Sequence, residues 1–406
     1  MKKYDCTIVG AGASGMTAGI IAARRGLKVC LLEHKNEPGK KLLRTGNGKC
    51  NFTHKGVTAE DYPLRYRGIT GAVFNKFGYE STISFFKELG VFPSEKNGYV
   101  YPMSGTALSV RNALVDELKR LKVDIITDVR IESVDPGFFT KALINGKMTE
   151  VESATLLMAA GSCAAPGTGS DGSGYILLEK AGVKIKKPLP ALVKLLSDDR
   201  TCRRAAGVRT DGIIRLFING ELKCTESGEI QFTDDGISGI PVFQISREAA
   251  QALDENKRTE TVTDLAPGIT VEELKDYFKY GFINAGGRSL KNFLGGIIPG
   301  KMVTAVADKA SVSADKKVCE LSEEKALEIV ETIKNYRLII TKTNGFDGAQ
   351  VCSGGVDLAE IDFETMEHRK IKGLFFSGET VDVDGPCGGY NLQWAWSSGA
   401  VAGMNL

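Results

Sequence analysis

The first forty residues alternate between apolar runs and small residues in a pattern with few solutions. Residues 4–9 (Tyr-Asp-Cys-Thr-Ile-Val) make a short run of strand length. Ser14–Arg25 follows as a segment of small residues suited to a closely packed helix, and Lys28–Leu32 is a second strand, giving a β-α-β unit of about 30 residues. At Thr106–Leu121, Leu108, Leu114, Val115, Leu118 and Leu121 fall on one helical face, with Asp116, Glu117, Lys119 and Arg120 opposite. Strands are expected at about 124–134, 138–144 and 148–151, with Asn145-Gly146 as a type I′ hairpin turn. The apolar run Ala154–Ala160 ends in Gly161, as a central parallel strand does.

The grammar changes near Pro188 and Pro190. Short β runs are expected from there to about residue 260, including a hairpin through Asn219-Gly220. Helices come next: Thr270 with Glu273 forms a capping box, and Ser322 opens a helix reaching about Asn335. From near Tyr336 the strand–glycine–helix order returns, with a strand at Leu374–Phe376 and a final helix from about Asn391. The expected organisation is one domain begun by residues 1–188 and completed by 341–406. An insert at 189–340, β-rich over 189–262 and helical over 263–335, would serve as a substrate or cap domain.

Composition narrows the class. With 406 residues there is room for two or three domains of ~100–200 residues each. Charged residues (25%) and hydrophobic ones (42%) are in globular proportion, and 52 Lys+Arg against 50 Asp+Glu leave +2, too little for a general nucleic-acid or acidic-membrane binder. The nine cysteines contain no C-x-x-C pair, which removes a dithiol motif and the common zinc spacings, so no metal is expected and a reducing cytoplasm is. The uncharged run Cys6–Ala23 carries Gly10, Gly12, Gly15 and Gly19 and is short for a membrane span.

Gly10-Ala11-Gly12-Ala13-Ser14-Gly15 is a G-x-G-x-x-G placed directly after a strand and opening a helix. The first glycine permits the turn, the second lets backbone approach a pyrophosphate, and the third lets helix pack on strand. Glu33 ends the second strand, where a carboxylate accepts bonds from ribose hydroxyls. Dinucleotide binding is the reading; a glycine-rich structural turn is the alternative. A second match, Gly167–Gly172, lacks the strand and the acid and reads as a loop near the first ligand. Near the other end, the acids of Gly378–Gly385, Asp382 among them, suit the hydroxyls of a polyol chain. The helix opened by Gly388–Gln393 suits the N1–C2=O edge of a flavin. A buried acidic turn with a helix cap is the alternative there.

Three stretches, Gly39–Thr53, Thr233–Pro241 and Ser377–Gly399, together with the N-terminal fingerprint, resemble the BaiN-type FAD-dependent oxidoreductases, also labelled aminoacetone oxidases. The resemblance runs over nearly the whole chain. It implies an α/β fold: a Rossmann-like, glutathione-reductase-type FAD domain with an inserted β-barrel-like plus helical domain. It also implies FAD contacts at Gly10, Gly12, Ala13, Ser14 and Gly15, at Glu33, at Lys40 and Lys41, and in the Gly46, Asn47, Gly48, Cys50 and Asn51 loop. Further contacts are implied at Val129, Ala160, Gly161, Gly378 and Glu379, and at Gly388, Gly389, Tyr390, Asn391, Leu392 and Gln393. His34, beside Glu33, joins these as a candidate, although it and His54 otherwise read as isolated surface or loop histidines. Members of the family are linked to reduction of conjugated enones of bile-acid-type steroids or to oxidation of small amines.

No residue stands out as the proton donor; Tyr390, Tyr101 and Cys387 are the candidates, with packing roles as the alternative for each. The expected protein is thus a cytoplasmic FAD oxidoreductase acting on a small molecule. It would reduce an activated C=C bond through flavin N5, with NAD(P)H as the transient electron source. Oxygen-dependent oxidation of a small amine such as aminoacetone, and a flavin-binding RNA-modification role, are the competing readings. No nucleic-acid partner and no membrane span are expected, and the pattern assigns no oligomeric state.

Overall fold

The computed structural model describes residues 2–135, 137–144 and 146–406, and the chain divides into two compact units, Met1–Leu189 with Gln350–Leu406, and Pro190–Ala349. In the first unit, strand β1 (Lys2–Val9) leads through helix α1 (Ala13–Arg24) to β2 (Val29–Leu32). Helix α2 (Ala107–Arg120) follows, capped by the Thr106 side chain on Leu108 N–H. After it come β3 (Asp124–Ile126), β4 (Val129–Asp135), β5 (Phe139–Ile144) and β6 (Lys147–Met158). Strand β7 (Leu374–Phe376) and helix α3 (Tyr390–Asn405) close the unit.

Strands β3-β2-β1-β6-β7 run parallel, and β4-β5-β6 form an antiparallel meander on the same sheet. The long β6 serves both: its first half pairs with β5 (Glu152↔Phe139) and its last three residues with β7 (Met158↔Phe376). All four residues of β2 are buried, which is why Val29-Cys30-Leu31-Leu32 shows no polar alternation. The sequence pattern splits β6 into two strands because Glu152 and Ser153 interrupt the apolar run, and merges β3 with β4; a turn at Thr127–Asp128, with Asp128 at φ 55°, separates those two. Asn145 lies outside the described residues, and the strands it was expected to join do pair, Ile144 opposite Lys147.

Small residues set the packing of α1. A Cβ on Gly399 or Gly403 of α3 would stand 2.3 Å from Ser14 O or 2.7 Å from Ala18 O, so the two helices cross backbone to backbone. On its other side, Gly19 leaves room for Leu118 of α2. Trp394 and Trp396, fully buried, donate their ring N–H groups to Gly378 O (3.0 Å) and Phe52 O (2.8 Å) and so tie α3 to the loops around it.

The second unit is built on a seven-stranded antiparallel sheet. Its order is Tyr336–Ile340, Thr259–Asp264, Arg209–Ile218, Glu221–Thr233, Gly236–Ser238, Leu195–Leu196 and Lys342–Thr343. The first and last of these are separated in the chain by Thr341 alone, so the sheet must curl back on itself into a barrel-like form. The Asn219-Gly220 turn has the expected two positive φ angles, 52° and 85°. Both predicted caps hold, Thr270–Glu273 ahead of Val271–Asn284 and Ser322 ahead of Glu323–Lys334. One expectation fails: Ile240–Asp254, inside the stretch read as β runs, is a 15-residue helix with Pro241 in its first turn.

Candidate cofactor and active site

The fingerprint glycines separate into two kinds. At Gly10 (φ 101°) a Cβ would lie 2.3 Å from Ala159 O, and at Gly15 2.0 Å from Gly10 O, so both are fixed by the crossing of β1, α1 and the end of β6. A Cβ at Gly12 would meet nothing within 4 Å. That glycine opens α1, whose first turn has neither a side-chain cap nor an acidic residue. A tight turn with an uncapped helix start and clearance at the middle glycine is the form a pyrophosphate requires.

Glu33 is buried at the end of β2. It accepts from Ala11 N–H and Lys35 N–H, each at 2.8 Å, while burial pushes its carboxyl above the ordinary carboxylate range against those two bonds. Its backbone carbonyl accepts from Val129 N–H at 2.9 Å, and the exposed His34 ring places Nδ1 3.3 Å from Val129 O. The Gly167–Gly172 loop comes to the same place: a Cβ on Gly169 would be 3.7 Å from Glu33 Oε1, and Asp171 lies 4.0 Å from His34 Nε2. Gly39 N–H donates to Ala11 O at 2.9 Å, which seats the short helix Lys40–Arg44 beside the fingerprint.

The two halves of the unit meet directly. Gly378 (φ 64°) is so close to Ser14 that a Cβ would stand 2.5 Å from its hydroxyl, and Glu379 pairs with Lys41 (2.7 Å) and Ser162 (2.7 Å). Ala160 and Gly161, just after the end of β6, lie next to them, with Thr380 Oγ1 accepting from Gly161 N–H. Lys40 is half-buried one residue before Lys41.

At the start of α3, Gly388 (φ 122°) and Gly389 (φ 98°) form an uncapped helix N-terminus. A Cβ on Gly389 would lie 2.5 Å from Thr53 O and 3.0 Å from Asn51 Oδ1, a buried oxygen with no hydrogen-bond partner among the described residues. The Thr45–Gly48 turn beside it holds Gly46, Asn47 and Gly48 at positive φ, and Cys50 too, at 58°. Gly46 abuts Tyr101, and Tyr99 abuts Gly388. Tyr390 stacks on His54 at 4.9 Å and 15°, and His54 meets Tyr99 edge-on at 5.7 Å. The loops that carry the three proton-donor candidates adjoin one another: Gly46 lies against both Tyr101 and Asn51, Asn51 lies against Gly389, and Cys387 and Tyr390 flank Gly388-Gly389. Burial pushes the phenols of Tyr101 and Tyr390 and the thiol of Cys387 upward, so all three stay protonated.

Several expected contacts are spent inside the protein. Asp382, nearly inaccessible, accepts from Gly354 N–H (3.0 Å) and Tyr66 OH (3.1 Å) and pairs with Lys186 (3.1 Å), so it anchors the loop rather than presenting a free acceptor. Gln393 is fully buried between Thr53, Thr82 and Ser397. Asn391 folds back on Gly385 and Pro386, and Leu392 packs on the core. The Cys50 side chain is in the core, its thiol pushed up to about 12 by burial. The sequence pattern also missed two residues. His54 joins the aromatic cluster, and Arg111 of α2 lies under Gly39 with a buried Nε that has no hydrogen-bond partner among the described residues; neither belongs to a local motif. Among the described residues no group of acidic, His or Cys side chains could hold a metal ion.

Open clearance at Gly12, the buried acceptor Glu33 and the orphaned Asn51 oxygen suit an extended dinucleotide. With the comparisons below, they define a Rossmann-type FAD-dependent oxidoreductase. The chain belongs to the HI0933-like protein Rossmann domain family, which matches residues 4–405. It is 39% identical to the 3-dehydro-bile acid delta(4,6)-reductase of Clostridium scindens, over 98% of this chain and 97% of that one. It is 29% identical to the ribosomal RNA dihydrouridine synthase of Escherichia coli, over 100% of this chain and 98% of that protein. Among solved structures, the 3-ketosteroid-delta4-(5alpha)-dehydrogenase of Rhodococcus jostii, in complex with 4-androstene-3,17-dione, shares the fold. The TM-score is 0.51 at 16% identity, over 99% of this chain and 96% of that one. No helix among the described residues is long and apolar enough to cross a membrane.

Proposed function

We propose that the protein reduces a carbon–carbon double bond conjugated to a carbonyl in a small, ring-containing molecule of steroid type, with NAD(P)H as electron donor. The observation that carries this reading is the half-exposed wall of Tyr99, Tyr101, Tyr390 and His54 beside the Gly388-Gly389 helix start. It offers flat apolar contact together with neutral hydrogen-bond donors. The full-length likeness to a bile-acid reductase supports it.

Bound FAD supplies hydride chemistry at its N5. In our assignment, Glu33 accepts the ribose hydroxyls and the start of α1 receives the pyrophosphate. Lys41 and Glu379 hold the middle of the cofactor, and the start of α3 with Asn51 receives the ring's pyrimidine edge. Residues 190–349 are assigned to the substrate or cap role, and the protein to the cytoplasm.

A second reading is favoured by the 29% likeness to a ribosomal RNA dihydrouridine synthase: the uracil C5=C6 bond is also conjugated to a carbonyl, so the chemistry is shared and only the bearer of the double bond differs. Anaerobic mixing decides between these. NADH or NADPH should bleach the visible flavin band, and a steroid enone should restore it. Restoration by uridine-containing RNA but not by enones would favour the second reading, and bleaching by an amine but by neither nicotinamide would sink both.

A further inference from the structure

We propose that Tyr101 and Tyr390 act together as neutral hydroxyl donors to the substrate's carbonyl oxygen, stabilising the negative charge that develops there during reduction. The inference rests on the conjugated-carbonyl reading above and deepens it by naming the groups that receive that charge.

Strand Tyr99–Pro102 alternates half-exposed and buried residues, so Tyr99 and Tyr101 project from one face while Val100 and Pro102 enter the core. Tyr101 approaches Gly46 to 3.6 Å of its Cβ position, and Tyr390 follows Gly389 directly, so the two phenols flank the same pair of glycine loops. They share with Tyr79 and Tyr99, and not with the other four tyrosines of this unit, a hydroxyl without a hydrogen-bond partner among the described residues. Tyr4 OH donates to Asp124 (2.5 Å), Tyr62 OH to Tyr390 O (2.7 Å), Tyr66 OH to Asp384 (2.7 Å) and Tyr175 OH to Glu379 O (2.9 Å). The hydroxyls of Tyr101 and Tyr390 have no hydrogen-bond partner among the described residues. Neither oxygen is among the buried unpartnered atoms, so both hydroxyls reach solvent and are open to an acceptor on a ligand.

Tyr390 is also held in place. Its ring stacks on His54, Tyr62 meets it edge-on at 6.2 Å and 83°, and the Tyr62 hydroxyl fixes its backbone carbonyl. A donor fixed before the reaction needs no reorganisation when charge develops. In the step itself, a hydride equivalent drawn from NAD(P)H forms a new C–H bond at the carbon β to the carbonyl. The π pair of the C=C bond shifts toward the carbonyl carbon and the C=O pair moves onto oxygen, giving an enolate. Tyr101 and Tyr390 hydrogen-bond that oxygen, and a proton from water completes the α-carbon as the C=O bond re-forms.

Tyr101→Phe and Tyr390→Phe test this, with bound-flavin content and visible spectrum confirming that each variant is folded and loaded. The flavin is pre-reduced with dithionite without oxygen and mixed with a steroid enone. Reoxidation should slow about 100-fold in either variant, with the enone concentration for half-maximal rate little changed. Independently, 4-chlorophenol is titrated onto oxidised enzyme, since its anion carries charge where an enolate does. Its long-wavelength charge-transfer band should need about tenfold more ligand in each variant. Rates within about twofold of the parent, or unchanged phenolate affinity, overturn the donor pair. Failure of the parent to be reoxidised by any enone overturns the conjugated-ketone reading instead, and the phenolate titration then decides the donor pair on its own.

Discussion

The two ends of the proposed cofactor site are built by different physics. At the nucleotide end, Gly10, Gly12, Gly15 and Glu33 lie within a single β-α-β unit, and their places follow from backbone clearance and one buried carboxylate. At the ring end, Tyr62 holds Tyr390 across 328 residues of chain, and His54, Tyr99 and Tyr101 reach the same spot from a small sheet far from α3 in sequence. A site made of short-range steric rules tolerates little substitution. One made of long-range side-chain meetings can be retuned residue by residue.

The sharpest way to break this contrast is within the fingerprint itself. Gly15→Val drives a Cβ into Gly10 O and should cost more than about 4 kcal/mol, leaving no cooperative thermal transition. Gly12→Val has open space and should fold as colourless apoprotein with a Tm near that of the flavin-stripped parent; full flavin content in it would refute the clearance argument. Next in size, Asp382→Ala strands Gly354 N–H and removes the pair with Lys186, and should destabilise by about 3 kcal/mol in chemical denaturation. Flavin per folded molecule should hold, so a selective loss of flavin would return Asp382 to direct contact.

Glu33→Ala should weaken FAD binding by about 1.5–3 kcal/mol, roughly 10- to 150-fold, in equilibrium titration, with less effect on apoprotein stability. The smallest effect is a control away from both ends. Arg120 first, then Arg24, hold the Glu117 carboxyl down from 4.5 to about 2. A depressed acid stabilises the fold above its unfolded value and loses that contribution as pH falls through the folded one. Glu117→Gln should therefore lower Tm at neutral pH, with the gap closing as pH falls from about 5 toward 2 and flavin content unaffected. A gap independent of pH would remove the ion pairs as its cause.

The same division explains what could be read from sequence. The Rossmann start, the two helix caps at Thr270 and Ser322, and the Asn219-Gly220 turn are local, each decided within a few residues. Helix Ile240–Asp254 escaped because its β-branched and proline-led opening resembles the strands before it. Gln393 and Asp382 sit inside stretches that carry cofactor-like patterns, yet burial and their protein partners turn them inward, and no sequence spacing reports which way a side chain faces. His54 is a lone histidine until Tyr390 is brought against it.

Strand β6 accepts β5 along its first half and β7 along its last three residues. During synthesis the meander can form as soon as residue 158 emerges, but the outer rim of the parallel sheet waits for residues 374–376, more than two hundred positions later. Over that interval the tail of β6 is an uncovered edge in a nascent chain, open to pairing with another polypeptide. On the proposed assignment, which puts the start of α3 in the cofactor site, coenzyme capture becomes a late assembly event, and a ribosome stalled before codon 374 would release an aggregation-prone chain.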